Sequence, residues 1–335
     1  MSEQAQKVKL KVTPAVAKIV GEGAPRELQL AAARGAVPLQ AGELLMTYLF
    51  LIHGRDAAIK AEAQRSLNTL PVNILKPVIE SEETHPQVLD LVARYRYADL
   101  AVMESLLFNP AIEDRTLIFL AGRCEGGVLS LIANNDERLI AAPDIIDAIL
   151  ANPLADKVLK FRFGWEEPKA EQPTPEPSMP DQGYTEEEGE IEELEEENLS
   201  KYQQALEFGV SDKIKLALTG DKEWRSIFLK DNNKLVCSAV LKNPRITDGE
   251  VLMIAKNRTA NEELIRIINL NREWVKNYEI RKALVMNPRT PLPKALRYMA
   301  TLSDKEIKEL AKSKNVSAVI VNNARRMVMA KEKRK

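Results

Sequence analysis

The chain has few of the residues that carry the common enzyme chemistries. Its 335 residues include only two histidines and two cysteines. Neither His53 nor His85 has a second metal ligand at helical spacing, which excludes a histidine-rich zinc site and argues against a Ser-His-Asp site. Neither Cys124 nor Cys237 has a CxxC partner, which argues against structural zinc and thioredoxin-like redox chemistry. We therefore expect no enzymatic activity, no metal and no cofactor, and no small-molecule substrate is evident.

Glycine, aromatic residues and long apolar runs are also scarce. With 14 glycines and 5% aromatic residues, a β-rich fold full of tight turns is disfavoured. No stretch approaches the roughly 18 apolar residues that a membrane-spanning helix needs, and the N-terminus lacks the apolar core of a signal peptide. We expect a cytoplasmic protein without membrane contacts, whose Cys237 is buried in a helix and whose Cys124 is exposed.

Apolar residues, by contrast, are abundant and recur with helical periodicity. They make up 45% of the chain. Met46, Leu49 and Phe50 form one stripe of this kind, and Ile59, Ala63 and Leu67 form another. The periodic segments are about 10–15 residues long and are separated by Asn, Pro and Gly, which predicts an all-α fold of short helices in hairpins.

Charge divides the chain into three parts. Residues 1–163 carry 18 basic and 20 acidic side chains, whereas residues 164–200 carry one lysine and 14 acidic residues. Residues 201–335 carry 29 basic and 15 acidic residues, a net charge of +14. We predict two helical-repeat domains, 1–163 and 201–335, joined over 164–200 by a disordered Pro/Glu-rich linker whose last glutamates lead into the next helix.

A five-residue motif recurs along the chain. It consists of a small residue, two apolar residues, any residue and then asparagine, and proline follows in four of the six copies. The copies are residues 105–109, 130–134, 148–152, 239–243, 283–287 and 318–322. We interpret the asparagine as a residue that ends a helix in the left-handed conformation, after which proline prevents continuation. The alternative is an asparagine ladder that recognises a peptide or a nucleotide.

Three asparagines of the first half each have a counterpart in the second half, at nearly the same distance along the sequence. The offsets are 134, 135 and 136 residues, for the pairs Asn109 and Asn243, Asn152 and Asn287, and Asn135 and Asn271. Near-constant spacing is typical of internal duplication. The predicted fold is therefore an α-solenoid of short helical hairpins in two duplicated halves.

Helix starts are expected at capping signals. Three capping boxes are predicted from spacing: Thr247 with Glu250, Thr259 with Glu262, and Ser303 with Glu306. A further helix is predicted to use Thr290 as its cap, with Pro291 at the first helical position.

Residues 46–71, MTYLFLIHGRDAAIKAEAQRSLNTLP, resemble one HEAT repeat. The positions that match the Asp, Val, Arg, Ala and Leu of that family's second helix are Asp56, Ile59, Lys60, Ala63 and Leu67. The Asn-Pro repeats resemble the leucine-rich-repeat-variant relatives of HEAT and armadillo proteins. The whole chain resembles a family of bacterial cytoplasmic helical-repeat proteins, most closely over 211–330. The resemblance implies an α-solenoid with a protein- or nucleic-acid-binding surface, and it carries over no catalytic residue.

The basic second half holds the candidate binding residues. They are Lys242, Arg245, Lys256, Arg258, Arg281, Lys282, Arg289, Lys294, Arg297, Arg325 and Arg326. If the repeats stack, such positions align into a stripe that contacts phosphates or an acidic protein surface. We expect a scaffold or adaptor that binds a protein partner. The alternative is a protein that binds the nucleic-acid backbone through 201–335, where the acidic linker either competes for the basic surface or is a solvated spacer.

Overall fold

The computed structural model describes residues 10–21, 23–166 and 196–332. Within these residues the chain forms 22 α-helices and a single-turn 3-10 helix at Trp274–Lys276. The predicted all-α fold is therefore confirmed. The chain divides into two compact units, 1–165 and 166–335. The predicted disorder of the linker falls on residues outside the described part, except at its two ends.

The first unit is a stack of short helices in two rows. Its helices are α1 (Pro14–Val20), α2 (Arg26–Ala33), α3 (Ala41–Ile52), α4 (Ala57–Thr69), α5 (Val72–Ile79), α6 (Pro86–Arg96), α7 (Leu100–Leu107), α8 (Asp114–Ala121), α9 (Gly126–Ala133), α10 (Asp136–Ala141), α11 (Asp144–Ala151) and α12 (Lys157–Arg162). Helices next but one along the chain pack together, so α3, α5, α7 and α9 form one row and α2, α4, α6 and α8 form the other. At the end of the second row, α8 packs against α11.

The second unit is built in the same way. Its helices are α13 (Glu196–Glu207), α14 (Val210–Thr219), α15 (Lys222–Phe228), α16 (Lys234–Leu241), α17 (Asp248–Lys256), α18 (Glu262–Leu270), α19 (Tyr278–Met286), α20 (Leu292–Met299), α21 (Asp304–Lys312) and α22 (Ala318–Glu332). Here α14, α16 and α18 pack in sequence, and α17 packs on α19. Helix α13 includes the last glutamates of the predicted linker, as expected.

Residues 46–71 lie in a hairpin of α3 and α4, which pack against each other. Asp56 caps α4, because its side chain accepts hydrogen bonds from the backbone N–H groups of Ala58 at 2.9 Å and Ile59 at 3.2 Å. Along α4, Ile59, Ala63 and Leu67 are buried, while Lys60 is exposed. The apolar periodicity of the sequence thus sets which face of α4 enters the core.

Two of the three predicted capping boxes are confirmed. Thr247 with Glu250 and Ser303 with Glu306 each make both reciprocal bonds. The box at Thr259 is wrong, because α18 starts at Glu262 and its cap is therefore two residues after Thr259. Asn261 caps this helix instead, and its side chain accepts from the N–H of Glu263 at 3.0 Å.

The cap predicted at Thr290 is also wrong. Helix α20 begins at Leu292, with Pro291 in the capping position. Thr290 lies one residue further out and is buried, and its hydroxyl has no hydrogen-bond partner among the described residues. Helix α3 has a capping box that the sequence did not suggest, formed by Gln40 and Glu43.

Aliphatic side chains fill the core of each unit. In the second unit Ile265, Ile268 and Ile280 are completely buried within one continuous cluster. Each fully buried aliphatic side chain of this size stabilises the fold by about 1.5–3 kcal/mol. None of the described helices is long and apolar enough to cross a membrane.

Candidate binding surface

The asparagine of each Asn-Pro pair joins the ends of two packed helices. Asn287, which follows α19, is buried, and its Nδ2 donates to the carbonyl oxygens of Ala255 and Asn257, both at 2.9 Å. Those two carbonyls lie at the C-terminal end of α17. The side-chain oxygen of Asn287 accepts a third bond from the N–H of Arg289 at 2.9 Å. We call this arrangement an asparagine clamp.

The other three Asn-Pro pairs form the same clamp. Each side-chain amide donates to two carbonyls at the end of the neighbouring helix and accepts from the backbone two residues on. The donor contacts are Asn109 to Ile79 and Ser81, Asn152 to Ala121 and Cys124, and Asn243 to Ala217 and Gly220, at 2.7–3.2 Å. The accepted bonds come from the N–H groups of Ala111, Leu154 and Arg245, each at 2.8 Å.

The clamp shows that one part of the role predicted for the asparagines, the left-handed conformation, is wrong. They do end helices, but no residue other than glycine has a positive φ in the described part of the chain. Asparagine is needed because its side chain both donates and accepts, which satisfies backbone groups that a helix end leaves open. Since all four clamp amides are buried and fully engaged, a ladder of asparagines that recognises a ligand is not what these residues form.

The two copies of the motif that lack proline differ. Asn134 is exposed and accepts a hydrogen bond from Arg162 at 2.9 Å. Asn322 is exposed in the middle of α22, so it ends no helix. A related contact uses another residue type: Arg96 of α6 donates to the carbonyls of Leu67 and Leu70 at the end of α4. Proline after the asparagine therefore distinguishes the copies of the motif that form a clamp from the two copies that do not.

Each clamp places two neighbouring side chains at the surface. They are the residue just before the asparagine and the residue two after it, which we call the rim positions. In the first unit the rim residues are Phe108, Ala111, Ala151 and Leu154, and in the second they are Lys242, Arg245, Met286 and Arg289. Seven of the eight are exposed, whereas Ala111 is half-buried. The rim is therefore apolar in the first unit and mainly basic in the second.

Three of the candidate cations gather at the Asn287 clamp. Lys256 and Arg258 flank Asn257, whose carbonyl the clamp holds, and Arg289 follows the clamp itself. All three side chains are exposed, and none forms an ion pair or side-chain hydrogen bond with another described residue. Their positive charges are therefore available to an anionic partner.

Lys242 and Arg245 lie on either side of the Asn243 clamp. Both side chains are exposed, and this clamp lies against the end of α14. No hydrogen bond or ion pair between described residues joins this pair to the cations at the Asn287 clamp. A single continuous stripe remains a prediction.

Two candidate cations are already engaged within the fold. The Arg281 guanidinium donates to the carbonyls of Val275 at 3.1 Å and Lys276 at 3.0 Å. Lys282 pairs with Glu306 at 2.9 Å, and the hydrogen bond from Lys282 to that carboxylate raises the pKa of Lys282. Both side chains are half-buried. Their contacts stabilise helix ends and inter-helix packing.

The remaining four candidates lie on two later helices that pack together, α20 and α22. Lys294 is half-buried and Arg297 is exposed on α20. Arg325 and Arg326 are exposed on α22, where the Nε of Arg325 donates to the carbonyl of Ala311 at 3.0 Å. These residues extend the basic character of the second unit beyond the clamps.

Both cysteines are free and buried. The prediction for Cys237 is confirmed, and the expected exposure of Cys124 is wrong, since its side chain is 3% exposed. Burial raises the pKa of each thiol to about 11, so neither is poised as a nucleophile. Within the described residues, no group of three or more His, Cys, Asp or Glu side chains could hold a metal ion.

Sequence reasoning missed Phe108. Its side chain is 79% exposed at the end of α7. The signal was available, because Phe108 precedes Lys242 by the same offset of 134 that relates their clamps. Comparisons with protein-family models, with curated proteins and with solved structures found no match for this chain.

Proposed function

We propose that the protein is a non-enzymatic scaffold or adaptor that binds a protein partner through its helical-repeat surface, in the cytoplasm. The observation that carries the proposal is the set of rim positions. The clamps hold the backbone at these positions rigidly, so exposed side chains are presented without a large loss of conformational freedom on binding. The resemblance to HEAT-like solenoids, whose surfaces bind proteins or nucleic acids, supports the same function.

Co-purification with mass spectrometry tests the proposal. The tagged full chain is expected to capture the same protein with and without nuclease. Alanine at the rim residues Lys242, Arg245 and Arg289 is expected to reduce capture by the second unit, and alanine at Phe108 and Leu154 by the first. The matched control is alanine at Lys305 and Lys308, which are exposed on α21 away from any clamp. Capture that no rim variant changes would contradict the proposal.

The second candidate function is binding to the phosphate backbone of nucleic acid by the second unit. The observation that favours it is the group formed by Lys256, Arg258 and Arg289 within a part of the chain whose net charge is +14. Contacts of this kind are independent of base sequence and weaken steeply with salt, because phosphate binding releases counterions.

A titration with random-sequence DNA and RNA over a range of salt concentrations tests this candidate. Alanine at Lys256, Arg258 and Arg289 together is expected to lower affinity for every sequence. The salt slope should fall by about one for each phosphate that the variant no longer neutralises. The Lys305 and Lys308 double variant serves again as the control. Binding that is weak and independent of salt would exclude backbone recognition.

The acidic linker offers a way to regulate this binding. Residues 164–200 carry 14 acidic residues and one lysine directly before the basic unit. Tethering gives the linker a high local concentration at the basic surface, where it would compete with an anionic partner. Deletion of 166–197 is then expected to raise the affinity for DNA, RNA or anionic peptides, whereas unchanged affinity would identify the linker as a spacer.

A further inference from the structure

We propose that the surface around Phe108 docks a linear peptide segment of a protein partner, one in which a lysine or arginine lies close to an aliphatic side chain. This inference rests on the proposed scaffold function and names the chemistry of the partner. It concerns the apolar rim of the first unit, which is distinct from the basic rim of the second.

Phe108 stands between two depressions of the surface. One depression, of about 220 Å³, is bounded by Glu80, Glu104 and Ser105. The other, also about 220 Å³, lies towards Leu107, Pro110 and Leu131. Pockets for small molecules usually enclose about 300–1,000 Å³. Each depression is therefore better suited to one side chain of an extended segment than to a small-molecule ligand.

The backbone on either side of Phe108 is held in place. The next residue, Asn109, donates to the carbonyls of Ile79 at 2.7 Å and Ser81 at 2.9 Å and accepts from Ala111 at 2.8 Å. An exposed aromatic side chain on a fixed backbone is typical of the anchors that dominate protein interfaces, because little freedom is lost when it is covered.

The depression on the Glu80 side is acidic. Glu80 accepts from the Ser105 hydroxyl at 3.0 Å and lies 3.6 Å from Lys76, which offsets part of its charge. Glu104 is exposed and forms no ion pair with another described residue. The clamp also draws in the loop after Ser81, which carries the exposed Glu82 and Glu83. The two carboxylates that line the depression, Glu80 and Glu104, outnumber the one lysine beside them and favour a cationic side chain, which can also lie over the Phe108 ring.

The opposite depression is closer to neutral in charge. The one cation among its described lining residues is Arg138, which pairs with Asp114 at 2.9 Å and donates to the carbonyl of Ile112. The side chains of Leu107 and Leu131 are half-buried there and offer apolar contact area. An aliphatic side chain of the partner suits this depression. The two halves of the surface together select a basic residue beside an aliphatic one.

The position in the second unit that is equivalent to Phe108 indicates that the surface around Phe108 is specific to the first unit. Lys242 occupies the rim position equivalent to Phe108, and Ser238, at the position equivalent to Glu104, is buried. The duplicated clamp thus presents an aromatic ring beside acids in one unit and a lysine in the other.

Peptide selection on the full chain tests the inference. A display library of random peptides, each about a dozen residues long, is panned against the protein, and the strongest binder is synthesised with a fluorescent label. We expect selected peptides to carry Lys or Arg within three residues of Leu, Ile or Met. For the synthetic peptide, Phe108→Ala and the double variant Glu80→Gln/Glu104→Gln are each expected to raise Kd at least tenfold. Lys305→Ala, at an exposed lysine of α21 away from any clamp, is expected to change it less than twofold.

Thermal unfolding of each variant verifies that the fold is intact. Selected peptides without a basic residue, or a Kd within twofold of wild type for Phe108→Ala, would overturn the inference. A third outcome would also overturn the inference. If no peptide is selected, and if the wild-type protein is a dimer that Phe108→Ala converts to a monomer, the surface binds a second copy of the chain. If Phe108→Ala still captures the partner protein in the co-purification, the inference fails while the scaffold function stands.

Discussion

The side-chain amide of Asn152 lies 2.8 Å from the carbonyl oxygen of Cys124 and donates a hydrogen bond to it. The same amide donates to Ala121 at 2.8 Å, so it holds the end of α8 and the bend that follows against the end of α11. This clamp explains why Cys124, which follows Gly122 and precedes two more glycines in sequence, is buried. Its backbone is drawn towards the neighbouring helix.

Replacement of Asn152 by alanine is expected to lower the free energy of unfolding of the first unit by about 2–3 kcal/mol, because the variant leaves buried backbone groups without partners. Urea unfolding followed by circular dichroism measures the change. Asn322→Ala is the matched control, since Asn322 has the same motif but is exposed within a helix, and a change below about 0.5 kcal/mol is expected there.

Replacement of Asn152 by aspartate separates the contribution that its donated hydrogen bonds make to stability from the contribution of packing. The carboxylate has nearly the same shape and still accepts from Leu154, but it cannot donate to Ala121 or Cys124 when ionised. We expect a loss of stability at pH 7 at least as large as that of the alanine variant. A fully stable aspartate variant would show that the donated bonds contribute little.

Thiol labelling reports on the clamp directly. In the native protein both cysteines are expected to react slowly with an aromatic disulfide reagent at pH 8, since burial raises their pKa to about 11. Asn152→Ala should accelerate labelling of Cys124 and leave Cys237, in the other unit, unchanged. An exposed reference, Ser130→Cys, calibrates the fast limit. Rapid labelling of Cys124 in the wild type would contradict its burial.

The ion pair of Arg225 and Glu250 is expected to contribute to the stability of the second unit. Arg225 is 4% exposed, and its guanidinium contacts both carboxylate oxygens, at 2.9 and 3.2 Å. Arg225→Ala leaves the Glu250 carboxylate, whose side chain is 10% exposed, with only its hydrogen bonds from Thr247. The variant should lower the free energy of unfolding of the second unit by about 3 kcal/mol.

The exposed pair of Arg266 and Glu263 provides the comparison. Arg266→Ala is expected to change the stability by less than about 1 kcal/mol. Tryptophan fluorescence follows the second unit, which contains Trp224 and Trp274, once Trp165→Phe has removed the tryptophan of the first unit. Equal effects of the two arginine substitutions would mean that burial of the Arg225 pair does not determine its contribution.

Acid stability depends on Glu306. The hydrogen bond from the Tyr278 hydroxyl, together with those from Lys282 and Ser303, outweighs desolvation and lowers the pKa of Glu306 to about 2. A carboxyl whose pKa is lower in the folded state stabilises the protein above its unfolded pKa, about 4.3, and loses that contribution as the pH falls.

We therefore expect the urea midpoint of the second unit to fall as the pH decreases from about 5 to about 2. Glu306→Gln should flatten part of this dependence and reduce stability at pH 7. Glu309→Gln, an exposed neighbour on the same helix, should leave the profile unchanged. A pH profile that Glu306→Gln does not alter would show that this carboxyl does not contribute to acid unfolding.

The sequence by itself determined the features that depend on neighbouring residues. Apolar spacing along α4 predicted Ile59, Ala63 and Leu67 as its buried face, and the spacing of Thr247 and Glu250 predicted a capping box. The constant offset between Asn109 and Asn243 predicted a repeated architecture before any contact was known. These signals are local or periodic, so they survive in the linear chain.

Only the tertiary structure decided which helix ends the asparagines join, because each clamp connects residues 23–32 positions apart. It also decided that Cys124 is buried, that Arg281 and Lys282 are engaged within the fold, and that Phe108 stands exposed beside Glu80 and Glu104. Each of these depends on how helices and loops pack in three dimensions. Hydrogen-bond satisfaction and charge compensation are properties of spatial proximity, which the pattern of residue types does not contain.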